Sequence, residues 1–499
     1  MSTHIDWTAA AVFIFFFLLV TVMGFMAANW KRGDVSSHLD EWGLGGRQFG
    51  TWITWFLVGG DFYTAYTVIA VPAVVYAVGA YGFFALPYTI IVYPIVFVIM
   101  PLVWKNAHKN GHVTAADVVR GTSGSRALEL AVALTGIVAT MPYIALQLVG
   151  MGAVIKAMGL TGEIPLIAAF VILALYTYSS GLRAPALIAF VKDIMIYIVV
   201  LVAVVIVPAK VGGYGAVFEA AGNAFAAKGG ATGLTLKPAQ ILPYASLALG
   251  SALAAFMYPH TLTGVFASKS ADTIRKNAVL LPAYTLLLGL IALLGYMAYA
   301  ANVKVASATD VVPALFNTLF PSWFAGFAFA AIGIGALVPA AVMSIGAANL
   351  FTRNVWKTFI NPNIDHPGEA HVAKITSLVV KVGALAFILF LPTKFALDLQ
   401  LLGGLWILQT FPAVVFGLKT NWFRPSALLL GWASGIGWGS WVAFNHGQGL
   451  KPLASLTFGG DTYSFYVGLG AVILNVVVVV VVSGILSVAA PRAATPAHG

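Results

Sequence analysis

Apolar stretches long enough to cross a bilayer follow one another along this chain, separated by short polar punctuation. A membrane-crossing helix needs about 20 such residues. Thirteen segments qualify: residues 7–28, 51–78, 82–104, 127–157, 163–180, 185–208, 241–267, 278–300, 322–350, 372–391, 396–418, 423–445 and 464–488. We number them one to thirteen. Segment nine is unusual: from Trp323 to Met343 it reads WFAGFAFAAIGIGALVPAAVM, without one serine or threonine. The start, MSTHIDW, has no basic region and no small-residue cleavage site, so 7–28 is read as a first span rather than a signal peptide.

The polar punctuation is asymmetric. With the N-terminus outside, 17 Lys and Arg fall in inside loops and 7 in outside loops; Lys192 and Lys381 lie within segments. That bias predicts an outside N-terminus, an inside C-terminus and an odd number of helices. The long outside loop at 209–240 contains YGAVFEAAGNAFAAK, read as a surface helix in preference to a gate. Residues 357–371 read as a solvated connector and the tail 490–499 as disordered.

Composition sharpens this picture. The chain of 499 residues is 60% hydrophobic and only 8% charged, with a net charge of +10. Globular soluble domains carry about a quarter charged residues. The positive balance is accounted for by loop lysines and arginines that set topology, so no nucleic-acid partner is expected and the lipid bilayer is. Zero cysteines exclude disulfides and thiol catalysis. No composition break divides the chain, which reads as one domain.

Two segments are interrupted. Segment two holds Gly59-Gly60, Asp61 and then Pro72; segment seven holds Gly250-Ser251 and then Pro259-His260. Each opens a block of five, segments 2–6 and 7–11. Glycine and proline are ordinary in membrane helices, but paired breaks beside polar residues point to the central site of a transporter. A broken helix frees N–H and C=O groups that can hold an anion or a cation.

Six stretches carry a resemblance to the sodium:solute symporter family: GGRQFG (45–50), VTAADVVRGTSGS (113–125), YIALQLVGMG (143–152), YSSGLRAPALIAFVKDIM (178–195), YPHTLTGVFASKS (258–270) and NLFTRNVW (349–356). Together they cover about residues 40–420 and resemble most the bacterial monocarboxylate uptake permeases. The resemblance implies an all-α integral membrane protein with a LeuT-type inverted 5+5 repeat. The core repeats would cover about 51–208 and 241–418, with segments one, twelve and thirteen added. It implies uptake of lactate, pyruvate or similar acids and, by family habit, a sodium ion.

The chain departs from that family in three places. The family's two sodium-binding hydroxyls fall on Val338 and Pro339, with Ser344 the nearest hydroxyl. Sodium is a hard cation that needs oxygen ligands. Pro339 does free the carbonyl of Gly335, a weak compensation. The second departure is Asp61, where the family has a small polar residue. The third is Gly264, where an arginine is lost.

Candidate residues follow. A carboxylate deep in a membrane costs at least ~2.5 kcal/mol, so Asp61 is read as a proton carrier, the alternative being a cap on the restarting half-helix. The family aspartate matches Asp193, which with Asp61 and Lys192 makes up the expected ion-coupling set. Its neighbour Lys192 replaces a neutral residue; it is read as a lysine snorkelling to the inner interface, with an ammonium at the empty cation site as the alternative. Lys381, seven residues after Lys374, is read as a snorkeller too. Tyr143 and Gln147, four apart, offer donors to a carboxylate from one helix face. His260 reads equally as a proton or carboxylate partner and as a helix-end histidine. Gly59, Gly60, Tyr63, Thr64, Gly250, Ser251 and Tyr258 flank the breaks and complete the expected substrate site. No cofactor and no resident metal are expected; the coupling ion is expected to be a proton, with sodium the alternative. A sodium-coupled carrier of a monocarboxylate or small amino acid is the runner-up. A membrane enzyme would need a polar constellation at one interface, and none is visible; a channel would show repeated rings.

Overall fold

The computed structural model describes residues 4–30, 38–60, 63–160, 162–230, 232–390, 396–445 and 451–489. Helix occupies each of the thirteen expected segments within these residues. Eight helices are long and apolar enough to cross a membrane outright, and two bent pairs add to them. Apolar side chains such as Leu18, Val98, Val205, Leu286 and Ile473 stay exposed on their outer faces, a surface suited to lipid.

Both expected breaks are present. Segment two runs as Thr51–Gly60, then a π turn at Tyr66–Ala70, then Val71–Val78 with Pro72 at its start. Segment seven runs as Pro238–Ala255 and Pro259–Ala267, bent by 46°. Proline at the start of the second piece is pre-organised for a helix and lacks an N–H that would be unpaired there anyway. A third break was not foreseen: in segment eleven, Leu397–Leu408 and Phe411–Leu418 meet at 48°, where Pro412 again opens the second piece.

Segment nine, Ser322–Leu350, is the axis of the molecule and is enclosed along its apolar length. Its small residues let neighbours in close. A methyl at Gly326 would stand 2.4 Å from the Ala9 carbonyl oxygen of segment one, and one at Gly346 would stand 3.0 Å from the His260 nitrogen. Close approach at small residues is how helices pack without a hydrophobic drive between them.

The loop at 209–240 does hold a helix, Tyr214–Ala227, whose Val217, Ala221 and Phe225 form one buried stripe. An antiparallel hairpin, Leu453–Phe458 with Asp461–Tyr466, precedes segment thirteen. The turn glycines, Gly459 and Gly460, have φ of 62° and 92°, the left-handed geometry that a two-residue hairpin turn needs. That Gly-Gly pair between alternating residues was a legible signal, and the sequence analysis missed it. The tail 490–499 lies outside the described residues.

Candidate functional site

The break in segment two is filled from segment six. Lys192 sits within the helix Arg183–Val211 and is fully buried. Its ammonium donates to the carbonyl oxygens of Gly60 at 2.7 Å and Tyr63 at 3.3 Å, and lies 3.0 Å from Asp193 Oδ1. Asp193 Oδ2 accepts from the Tyr284 hydroxyl at 2.7 Å. The expectation of a snorkelling lysine is therefore corrected. Residue 192 faces the core between Ala189 and Ile196, and the carbonyls freed by the break offer the ammonium what water would.

Glycine is required on the facing side. A methyl at Gly60 would meet the Lys192 Nζ at 2.7 Å, and one at Gly59 would meet the Tyr284 ring at 2.3 Å. Segment nine closes the site: a methyl at Gly335, one turn before Pro339, would stand 3.7 Å from the Tyr63 oxygen. The ammonium thus lies between the broken segment two and segment nine. Asp61 lies outside the described residues.

A second site opens beside the break in segment seven. A small cavity of about 20 Å³, room for about one water molecule, is lined by Tyr88, Tyr143, Ala255, Tyr258, His260, Thr261 and Gln400. The ring of His260 stands 5.5 Å from Tyr143 and 5.0 Å from Tyr258, and those two tyrosines are 5.3 Å apart. The Tyr258 hydroxyl donates to the Gln400 carbonyl at 3.0 Å. The buried Gln400 Oε1 has no hydrogen-bond partner among the described residues. Phenol, imidazole and amide groups line this space, and a carboxylate would enter it only once the walls part. Tyr143, Tyr258 and His260 were expected here. Gln400 was missed; the polar pair in LDLQLL of segment eleven was the available signal.

The other expected residues do different things. Gln147 Oε1 accepts from the Ala65 nitrogen at 3.0 Å and its Nε2 donates to the Tyr143 carbonyl at 3.2 Å. It ties the restarting half of segment two to segment four with one acceptor and one donor of its amide. Thr64 Oγ1 accepts from the Tyr66 nitrogen at 3.0 Å. Tyr63 packs against Tyr284 and Tyr197 beside Lys192. Gly250 gives room to the Tyr466 ring. Ser251, buried, lies one helical turn before Ala255 of the cavity, and its hydroxyl has no partner among the described residues.

Lys381 is also corrected. It is buried in segment ten, Nζ 2.8 Å from the Ser377 hydroxyl, while the next residue, Val382, is exposed. Two of the motifs meet around Asn354. Asn354 donates to Asp117 Oδ1 at 2.7 Å and Glu129 Oε1 at 2.9 Å, and accepts from Thr114 at 2.6 Å. Beside this network a further small cavity, of about 20 Å³, is lined by Thr114, Gly136, Pro259, Thr263, Asn349 and Thr410, among others.

A profile of the sodium:solute symporter family matches residues 42–422. The chain belongs to that family. It is a multi-pass membrane transporter with a LeuT-type fold. It is 68% identical to the monocarboxylate transport permease protein of Rhizobium johnstonii, over 98% of this chain and 99% of that one. It is 34% identical to the uncharacterized symporter YodF of Bacillus subtilis, over 86% of each. Among solved structures it resembles a Na+-coupled sialic acid symporter in a substrate-bound outward-open state, with TM-score 0.75 and 15% identity over 96% of this chain and 98% of that one.

Proposed function

We propose that this symporter imports small monocarboxylates such as lactate and pyruvate across the cytoplasmic membrane, coupled to protons, with its N-terminus outside and its C-terminus inside. The observation that carries the coupling is Lys192. Its resident ammonium lies on the Gly60 and Tyr63 carbonyls, 3.0 Å from Asp193, so a sodium ion would have to displace a tethered cation of equal charge. Segment nine adds no hydroxyl there, since Val338 and Pro339 stand in place. The substrate reading rests on the cavity of Tyr143, Tyr258, His260 and Gln400 and on the monocarboxylate name of the Rhizobium relative.

A monocarboxylate entering a negative-inside cell works against the potential by ~2.3 kcal/mol per charge per 100 mV. One proton carried with it makes the cycle electroneutral. The family's usual ion gives the competing reading, in which sodium binds the carbonyls and Asp61. Uptake of labelled lactate into proteoliposomes, with pH and sodium gradients imposed separately, tests the two. Accumulation driven by the pH gradient alone is expected. Accumulation that answers to sodium at equal pH and ignores a pH gradient would reject proton coupling, and no lactate uptake under either gradient would reject the substrate reading.

A further inference from the structure

One cavity lies apart from both breaks. Its volume is about 120 Å³, against about 20 Å³ for the cavity beside His260. By that measure a single water needs about 10–15 Å³, so a group of several heavy atoms fits. Segments one and five end at this cavity, with Ala28 and with Ser179 and Ser180, and segments six and ten begin beside it, with Arg183 and Lys374. The linker before segment two adds Glu41 and Trp42 from its helix Leu39–Leu44. Under the proposed orientation all of these ends face the cytoplasm.

The floor of the cavity is charged and fixed. Arg183 and Glu41, both buried, form an ion pair, and the guanidinium also donates to the Glu41 carbonyl at 3.1 Å. Trp42 Nε1 donates to the Tyr178 carbonyl at 3.2 Å, and the Trp42 carbonyl accepts from the Leu182 nitrogen at 2.9 Å. The turn between segments five and six is thereby locked to the linker helix. It has no room for a side chain: Gly181 has φ of 54°, and a methyl there would stand 2.1 Å from the Trp42 oxygen. The mouth is polar. Ser180 Oγ donates to the Gly24 carbonyl at 2.7 Å, and Ser179 Oγ lies 3.3 Å from it. Ser179 itself donates to the Tyr176 carbonyl at 3.0 Å, but it is exposed, and its hydroxyl can turn toward a ligand. Lys374, half-buried, holds its ammonium 5.5 Å from the centre of the Tyr178 ring.

Among these lining residues two cations face one carboxylate. That balance favours an anion, and a guanidinium, an ammonium and a hydroxyl together suit the oxygens of a phosphate. The surface beside the mouth says where the phosphate comes from. One helical turn from Ser179, Leu175 is exposed, and Val171 is exposed one turn further on. On segment one, Phe25, Val22 and Leu18 follow at one-turn spacing and are exposed as well. The two segments pack together, with the Phe25 ring 6.4 Å from Tyr176. Columns of bare apolar side chains on a membrane bundle face acyl chains. We propose that this cavity binds the phosphate group of an anionic phospholipid, held by Lys374, Arg183 and Ser179, with the acyl chains along segments one and five. Basic pockets between helices on the cytoplasmic side recognise such headgroups. A lipid seated here fastens the linker helix of Glu41 and Trp42 to the bundle. The site depends on neither the transported substrate nor the coupling ion.

Full-length protein in detergent, washed free of lipid, is titrated with phosphatidylglycerol, with phosphatidylcholine and with inorganic phosphate. Binding is read by native mass spectrometry and by thermal melting. The wild type is expected to keep one tight phosphatidylglycerol and to melt higher with it, and to hold the zwitterionic phosphatidylcholine more weakly. Lys374→Gln is expected to lower phosphatidylglycerol affinity about tenfold or more, the worth of one charge-assisted hydrogen bond. Ser179→Leu, which fills the mouth and keeps every charge, should do the same, and Lys374→Arg should keep the affinity. Lys105→Gln, which removes one exposed lysine outside the cavity, should bind as the wild type does. Should Lys374→Gln not fold, Ser179→Leu decides. Equal affinity for the two lipids overturns the proposal, as does unchanged phosphatidylglycerol affinity in Lys374→Gln or Ser179→Leu. Stabilisation by inorganic phosphate with none by phosphatidylglycerol assigns the cavity to a free anion and overturns the lipid.

Discussion

The Lys192 ammonium lies 2.7 Å from the carbonyl oxygen of Gly60, across the break in segment two. One side chain from segment six thus satisfies backbone oxygens that segment two cannot pair itself. The same contact ties two helices that stand at opposite ends of one five-segment block in the sequence.

Removing that ammonium is expected to convert a tethered cation site into an open one. Breaking a buried ion pair by deleting one partner costs about 3–5 kcal/mol. Lys192→Ala should therefore melt well below the wild type. Sodium chloride should recover part of the loss where choline chloride does not, because Asp193 and two carbonyls remain as oxygen ligands. A melting curve indifferent to the cation would remove the site from consideration.

Gln400 and Gln147 are expected to fail differently. Gln400→Ala should keep the fold and weaken lactate binding by the worth of a charge-assisted hydrogen bond, roughly 1.5–3 kcal/mol. Gln147→Ala leaves the buried Ala65 nitrogen without its acceptor, a loss of about 1–3 kcal/mol in stability. Binding isotherms and thermal melts of the two variants, measured side by side, check this. Equal affinity in Gln400→Ala and wild type would exclude its side chain from the substrate site.

The contact of segments four and eleven has no slack. A methyl at Gly403 would stand 2.4 Å from the Ala139 carbonyl oxygen and 2.7 Å from the Tyr258 hydroxyl. Gly403→Ala should lower stability by about 1–3 kcal/mol, the usual range for overpacking. It should also disturb lactate binding, since Tyr258 lines the cavity. Thermal melting with and without lactate measures both.

Asn354 joins Thr114, Asp117 and Glu129, a network at the inner end under the proposed orientation. Asn354→Ala removes the joint and leaves two carboxylates without that donor. Opening of the inner side is expected, read as faster labelling of a cysteine placed at Thr263 in the cavity beside it. The chain has no cysteine of its own, so the background is clean. An unchanged labelling rate would mean that the network does not latch the inside.

The orientation has its own check. Cysteines introduced at Lys228 and Lys357 should react with an impermeant reagent from opposite sides of the membrane. Reaction of both from one side would overturn the outside N-terminus.

Much of this was determined by the sequence alone. The helical segments, the breaks in segments two and seven, and the family followed from apolar length, from Gly and Pro placed beside polar residues, and from six local motifs. These are local signals, and the bilayer enforces them, because a backbone in lipid must pair within its own segment. The roles of Lys192, Lys381, Gln147 and Gln400 were not legible. Each depends on which face of a nearly all-apolar helix looks inward, and such a helix carries little amphipathic pattern to say so. Lys192 is followed directly by Asp193, whereas Lys381 stands alone in an apolar run. Only packing gave the first two freed carbonyls as well, and the other a pair of serine hydroxyls. The tertiary structure decided this because the energy of a buried charge is set by its neighbours in space, and those neighbours come from helices far apart in the chain.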